Sequence, residues 1–195
     1  MKIALKEIEP FIRNGMHLQN GKPFKKLGDM RSREILANWL LCASINAIDK
    51  NCELMFSSDP TGSDGIIRDN VTEQTWITEH VYVPRHSTID CIDTEQLILN
   101  AIEKKRKKGG VAYAAGKILI ILLDADANVW FPNKVARKLP NPLLFNQVWV
   151  ISLQMVKNDA YEYGVTLLDT SCGNAPTYLV HINTDFNSWE VSVVQ

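Results

Sequence analysis

Two carboxylates and a run of cations are the residues of this chain whose types and spacing point to chemistry. In Thr75–Val83 the alternation of a strand puts Ile77, Glu79, Val81 and Val83 on one face and Thr78, His80 and Tyr82 on the other. Glu79 is then the lone carboxylate of an apolar face, and burying it is costly unless it is paired or holds a metal. An exposed Glu79, or one paired with an arginine, satisfies the same pattern. Asp64 stands at the mouth of a strand beginning at Gly65, and Gly62 and Gly65 on either side of it let a backbone or a ligand come close. If the segments 65–68 and 75–83 pair as a hairpin, the two carboxylates meet at one end of the sheet. Carboxylates within about 5 Å of each other can share a hard cation at oxygen distances of about 2.0–2.6 Å. Such a cation activates a water and stabilises charge developing on phosphorus. Taken alone, Asp64 is also an ordinary turn former. The cations are Lys104-Lys105-Arg106-Lys107-Lys108, a patch that would attract phosphates in a salt-dependent way or serve as the solvated end of a helix.

The elements that must position these residues follow from periodicity and punctuation. Residues 1–28 read as a short strand or helix followed by loop, with Pro10, Gly15, Gly21, Pro23 and Gly28 as breaks. Asp29 or Ser32 caps a helix running to about Ile48, with Ile35, Trp39, Cys42 and Ile45 on one stripe and Leu36, Leu40 and Ala43 on the next, so it packs against something large. Glu53–Ser57, Gly65–Arg68 and Thr75–Val83 read as strands of a hairpin or meander. A second helix starts at Thr94 and ends at Gly109-Gly110, its cations at the favourable end of the dipole. Lys117–Leu123 is a strand covered on both faces. A short helix at Asn133–Lys138 and strands at Gln147–Leu153, Gly164–Leu168, Tyr178–Ile182 and Trp189–Val194 complete the chain. The order predicts a mixed α/β fold, a central mixed sheet flanked by helices, in one domain spanning 1–195.

A helix carrying Glu34, a strand, the turn Gly62-Ser63-Asp64-Gly65-Ile66, a strand with Glu79, a helix and an apolar strand together resemble the PD-(D/E)xK nuclease superfamily, the restriction-endonuclease-like fold. The resemblance covers about Arg31 to Leu123. It implies a metal-dependent nuclease with Asp64 as the first metal carboxylate, Glu79 as the second and Glu34 as an auxiliary acid. The family lysine falls two residues after the second acid, where this chain has Val81. Members that relocate it place it on the following helix, where Lys104 or Lys105 stands beside Glu103. The resemblance implies Mg²⁺ or Mn²⁺ as cofactor; the basic run Lys104–Lys108 is the expected contact to nucleic acid, and a homodimer is a further expected assembly. Val81 equally invites a non-catalytic nucleic-acid- or protein-binding domain on the same scaffold.

The 195 residues carry 21 Lys plus Arg against 22 Asp plus Glu, a net charge of −1, with 46% hydrophobic and 22% charged residues. Those figures exclude collagen, disorder and disulfide-dense scaffolds, and a globally basic nucleic-acid binder, but not a local basic patch. No signal-peptide pattern opens the chain, and the apolar run Ile118–Leu123 is far short of the ~20 residues of a membrane helix. Cys42, Cys52, Cys91 and Cys172 match no zinc spacing and read as reduced thiols of a cytoplasmic protein. Phosphate-loop, dinucleotide, zinc-protease, deaminase and nucleophile-elbow motifs are absent. Asp124-x-Asp126-x-Asn128 after the apolar strand resembles the start of a phosphatase or calcium motif but lacks the rest, with Val129 and Val135 where a calcium loop needs Gly and Glu. Cys172, with His181 or His86 as base, is a nucleophile no spacing rule supports. Trp130-Phe131-Pro132 and Pro140-Asn141-Pro142 put aromatics and prolines in loops, where binding residues sit.

Overall fold

The computed structural model describes residues 1–15, 19, 21, 23–84, 93–124, 130–169 and 173–194. Within them the chain is mixed α/β: eight strands form one sheet in the sequential order β1 to β8, with helices against both faces. The first 28 residues, open between strand and helix in the sequence, begin with helix α1 (Lys2–Arg13). It buries Leu5, Ile8 and Ile12, one stripe at helical spacing. Helix α2 (Ser32–Ile48) is apolar on nearly every side and buries twelve of its seventeen residues. A helix of that character belongs inside, and α2 contacts α1 and strands from both ends of the sheet, with Trp39 edge-on to Trp189 at 5.0 Å.

Strands β1 (Leu54–Ser57), β2 (Gly65–Asp69) and β3 (Thr75–Val83) form an antiparallel meander. Helix α3 (Thr94–Ala114) then crosses the sheet to β4 (Ile118–Leu123), which runs parallel to β3. Strand β4 is buried at every position. Ile118, Ile120 and Leu122 face α2, while Leu119, Ile121 and Leu123 join Val83, Ile98 and Ile102 on the α3 side. The short helix α4 (Pro132–Ala136) leads to β5 (Gln147–Lys157), parallel to β4. β6 (Ala160–Leu167), β7 (Thr177–Ile182) and β8 (Trp189–Val193) follow as an antiparallel meander.

Two elements run past their expected ends. β5 continues to Lys157 because Asn158 and Asp159 both take positive φ, 50° and 61°, and close a two-residue hairpin onto β6. A bulge between Leu153 and Met155 absorbs the change of register. Helix α3 does not end at Gly109-Gly110: the chain kinks there and adds one more turn to Ala114. Gly110, at φ 58° and ψ −145°, occupies a region open essentially to glycine alone. Gly110→Ala is therefore expected to cost about 1–3 kcal/mol of stability in urea unfolding, from backbone strain alone. No helix among the described residues is long and apolar enough to cross a membrane.

Candidate active site

The site lies where β2 and β3 part. Their ladder pairs Gly65 with Thr78 and Arg68 with Thr75, and β3 then runs on through Glu79–Val83 without β2 beside it. Continuing that register sets Asp64 opposite Glu79. The turn-forming role falls to Asp59 instead, whose carboxylate accepts from the Thr61 and Ser63 amides and the Thr61 hydroxyl, bonds that hold it down to about 2. Asp64 is left to reach across the gap. Its Oδ2 accepts the His80 backbone N–H at 2.6 Å, satisfying a donor on the open edge of β3. Gly65 is required beside it, because a Cβ there would sit 2.5 Å from Asn38 Nδ2 and 2.9 Å from Thr78 Oγ1.

Glu79 shares the face of Val81 and Val83, as the alternation predicts; that face is the one α3 covers, and Glu79 is 6% exposed. Three donors meet it. Lys117 Nζ lies 2.9 Å from Oε1, Lys105 Nζ 3.3 Å from Oε2, and the Tyr113 hydroxyl donates to Oε2. Burial pushes the Glu79 pKa up, but Tyr113 and the two ammonium groups outweigh it and hold the carboxyl below its usual range. Tyr113 reaches Glu79 because of the diglycine kink, and a Cβ on Gly109 would collide with Tyr113 Cβ at 2.7 Å. Burial and the Glu79 charge push the Tyr113 phenol well above its ordinary range, so it stays a donor. Lys117 precedes β4 by one residue and shares the face of Leu119, the register partner of Glu79.

The other predicted residues divide. Glu34 lines the same cavity and is buried, but its carboxylate also closes the start of α2, accepting the Arg31 N–H at 2.9 Å. Burial, with Asp64 nearby, raises its pKa. Lys105 comes to the site, whereas Lys104 is exposed and outside the cavity lining. The basic run is not one free patch: Arg106 and Lys107 both pair with Glu103, at 2.7 and 3.1 Å. Lys108 lies over the Tyr113 ring at 5.0 Å. Val81, in the motif lysine position, lines the cavity and joins the apolar cluster under α3.

The cavity holds about 430 Å³. Arg31, Arg33, Lys105, Lys108 and Lys117 line it against three carboxylates, Glu34, Asp64 and Glu79. In a chain of net charge −1 this concavity is locally positive and suits an anion. On the α2 side, His80 is 8% exposed; among the described residues neither ring nitrogen has a hydrogen-bond partner, and Nδ1 lies 3.8 Å from Asp64 Oδ2. Burial pulls its pKa down to about 4, against a smaller upward pull from Asp64. Thr78 and Asn38 are fully buried as well, and among the described residues their side-chain polar atoms have no partner.

Of the competing constellations, Asp124 follows β4 and accepts from the Tyr82 hydroxyl and the Gln19 side-chain amide. Asp126, Asn128, Val129, His86, Cys91 and Cys172 lie outside the described residues. His181 faces Glu162 at 4.0 Å on the far strands. Cys42 and Cys52 are free thiols. Among the described residues no group of three or more His, Cys, Asp or Glu side chains is arranged to hold a metal ion. Family models, curated proteins and solved structures were each compared with this chain, and none matches it.

Proposed function

We propose that this chain is a metal-dependent phosphodiesterase acting on nucleic acid, a divergent member of the restriction-endonuclease-like class. The observation that carries the reading is that Asp64, Glu79 and Lys105 line one positively charged cavity beside the open edge of β3, with Lys105 3.3 Å from Glu79. Lys105 reaches Glu79 from α3 and so supplies the cation that Val81 does not. The order α2, β1, β2, β3, α3, β4, antiparallel through β3 and parallel from β3 to β4, also supports it.

Mg²⁺ or Mn²⁺ belongs to the same proposal, and the carboxylates of Asp64 and Glu79 on one cavity support it. Two carboxylates are a hard, oxygen donor set, and Mg²⁺ ordinarily completes its shell with waters and substrate phosphates rather than a full protein cage. Asp64 is partly open to the cavity, with Oδ2 alone tied to the backbone. Glu79 binds a cation only by exchanging one or both ammonium contacts. When bound, the ion would supply a more acidic water and charge stabilisation at phosphorus. Asp64 and Glu79 would hold it, the freed Lys105 would donate to a phosphate oxygen, and Tyr113 would keep the remaining Glu79 oxygen in place.

A cytoplasmic setting and a homodimeric state belong to the same proposal, and the free thiols Cys42 and Cys52 support the first. The occupation of both Glu79 oxygens favours a second reading, a nucleic-acid-binding domain without turnover. One assay separates them. With Mg²⁺ or Mn²⁺ the wild type is expected to cleave DNA or RNA, and Asp64→Asn and Glu79→Gln to lose cleavage while staying folded. Wild-type-like cleavage in either variant refutes the assignment, and salt-dependent binding without cleavage selects the second reading.

A further inference from the structure

The two edges of the sheet are treated differently. At the first edge, Leu54 of β1 turns its N–H and C=O away from β2, and the side-chain amide of Asn46 on α2 takes both. Asn46 accepts the Leu54 N–H at 2.6 Å and donates to the Leu54 carbonyl at 2.9 Å. The amide stands where a neighbouring strand would. At the last edge, nothing among the described residues does the same for β8. Val194 donates to the Thr177 carbonyl and Asn183 to the Ser188 carbonyl, so the even-numbered residues of β8 face β7. Trp189, Val191 and Val193 therefore present their N–H and C=O groups outward, and among the described residues no strand pairs with that side.

Open strand edges are ordinarily guarded by a lysine, a proline, a bulge or a covering loop. β8 carries none of the first three: it reads Trp189-Glu190-Val191-Ser192-Val193, in unbroken register with β7. Val193 is 63% exposed. The strand is also complementary to itself. In an antiparallel pair about a two-fold axis at Val191, Trp189 faces Val193 of a second copy and Val191 faces its own equivalent. Every outward N–H and C=O of both strands then meets a partner. On one face the pair joins an aromatic to a β-branched side chain, a favourable cross-strand combination. On the other face Glu190 falls opposite Ser192, so the one charged residue of β8 does not meet its own copy.

We propose that β8 is the interface of a homodimer, paired antiparallel with β8 of a second copy so that the two sheets run on as one. The proposal gives a surface to the homodimeric state named above and rests on that part of the reading alone. The pairing uses the backbone of β8 and owes nothing to the nuclease chemistry at β3.

Light scattering after size exclusion, across a dilution series, tests it. The wild type is expected at twice the 22.0 kDa of the chain at the concentrated end of the series. Val191→Pro is expected to halve that mass, because the proline removes an outward donor at the axis and no bond to β7, a placement that edge strands tolerate. A wild type that stays monomeric throughout overturns the proposal and the homodimeric state with it, while the cleavage assay still decides the nuclease reading. A Val191→Pro protein that keeps the dimer overturns the β8 interface and leaves a homodimer through another surface. If Val191→Pro fails to fold, disulfide cross-linking decides. Glu190 and Ser192 are exposed and, in the proposed register, form non-hydrogen-bonded pairs with Cα atoms about 4.5 Å apart, within reach of a disulfide. Glu190→Cys/Ser192→Cys is expected to run as a covalent dimer on a non-reducing gel after mild oxidation, and Glu190→Cys or Ser192→Cys alone is not. No covalent dimer from the double variant, or as much from a single one, overturns the interface.

Discussion

Glu79→Gln is expected to lower metal-dependent cleavage by about 10²–10³-fold, the range found when one electrostatic partner of a developing charge is removed. The amide keeps the shape of the carboxylate and can still accept from Tyr113, but it brings no charge to a cation. Two ammonium groups then face each other across a neutral side chain, with Lys105 and Lys117 only 16% and 18% exposed. That imbalance is expected to cost about 1–3 kcal/mol of stability, because a partner removed from a mostly buried pair strands the other. Urea unfolding measures it, and Glu79→Gln/Lys117→Met should recover part of the loss while cleavage stays lost. A variant that recovers cleavage along with stability would show that Glu79 serves only to hold the lysines. The two lysines separate by the same logic. Lys117 approaches Glu79 from the start of β4, on the side away from Val81, whereas Lys105 comes down from α3. Lys105→Met should therefore cost cleavage more than Lys117→Met, and Lys117→Met should cost stability more.

What was legible in the chain was what depends on local periodicity. The alternation from Ile77 to Val83 put Glu79 on the face of Val81 and Val83, and the wide apolar face around Trp39 marked α2 as a helix packed against something large. Asp64 could be set against Glu79 because a short connection between two strands fixes their register. Lys105 was legible as one of two neighbours, and only the docking of α3 on the sheet chose it over Lys104. Lys117 and Tyr113 were not legible, because each depends on non-local geometry: the parallel register of β4 on β3, and a kink that turns the chain after Gly110. A signal for Lys117 was present, a lone cation one residue before a wholly apolar strand and in phase with Leu119. The face of Thr78, His80 and Tyr82 carries polar atoms, yet α2 covers it and leaves Asn38, Thr78 and His80 buried together. Periodicity assigns residues to faces, and only the packing of the layers decides which polar face is sealed.

Sealing His80 has a consequence at acid pH. Its imidazole titrates near 6.5 in an unfolded chain, while in the folded protein burial pulls it down to about 4. The charged and titratable groups that act on it are Asp64 and Glu79, which favour the imidazolium, and Lys105 and Arg33, which oppose it. Between those two values the unfolded state binds a proton that the folded state refuses, so stability rises with pH there. The contribution is complete above about pH 6.5 and is lost as pH falls toward 4. Acidification from pH 7.5 to 5 is expected to remove about 2 kcal/mol, reaching about 3 kcal/mol by pH 4. Glu79, whose carboxyl is held below its usual range, adds a loss that begins only below the ordinary glutamate value of about 4.5. Glu34, raised by burial, runs the other way and recovers stability as it protonates. The window between pH 6.5 and 5 therefore belongs mainly to His80. Urea midpoints for His80→Gln, which carries no titratable ring, should be nearly flat across that window while the wild type falls. An equal fall in both proteins would assign the acid sensitivity to other groups and leave His80 without a part in it.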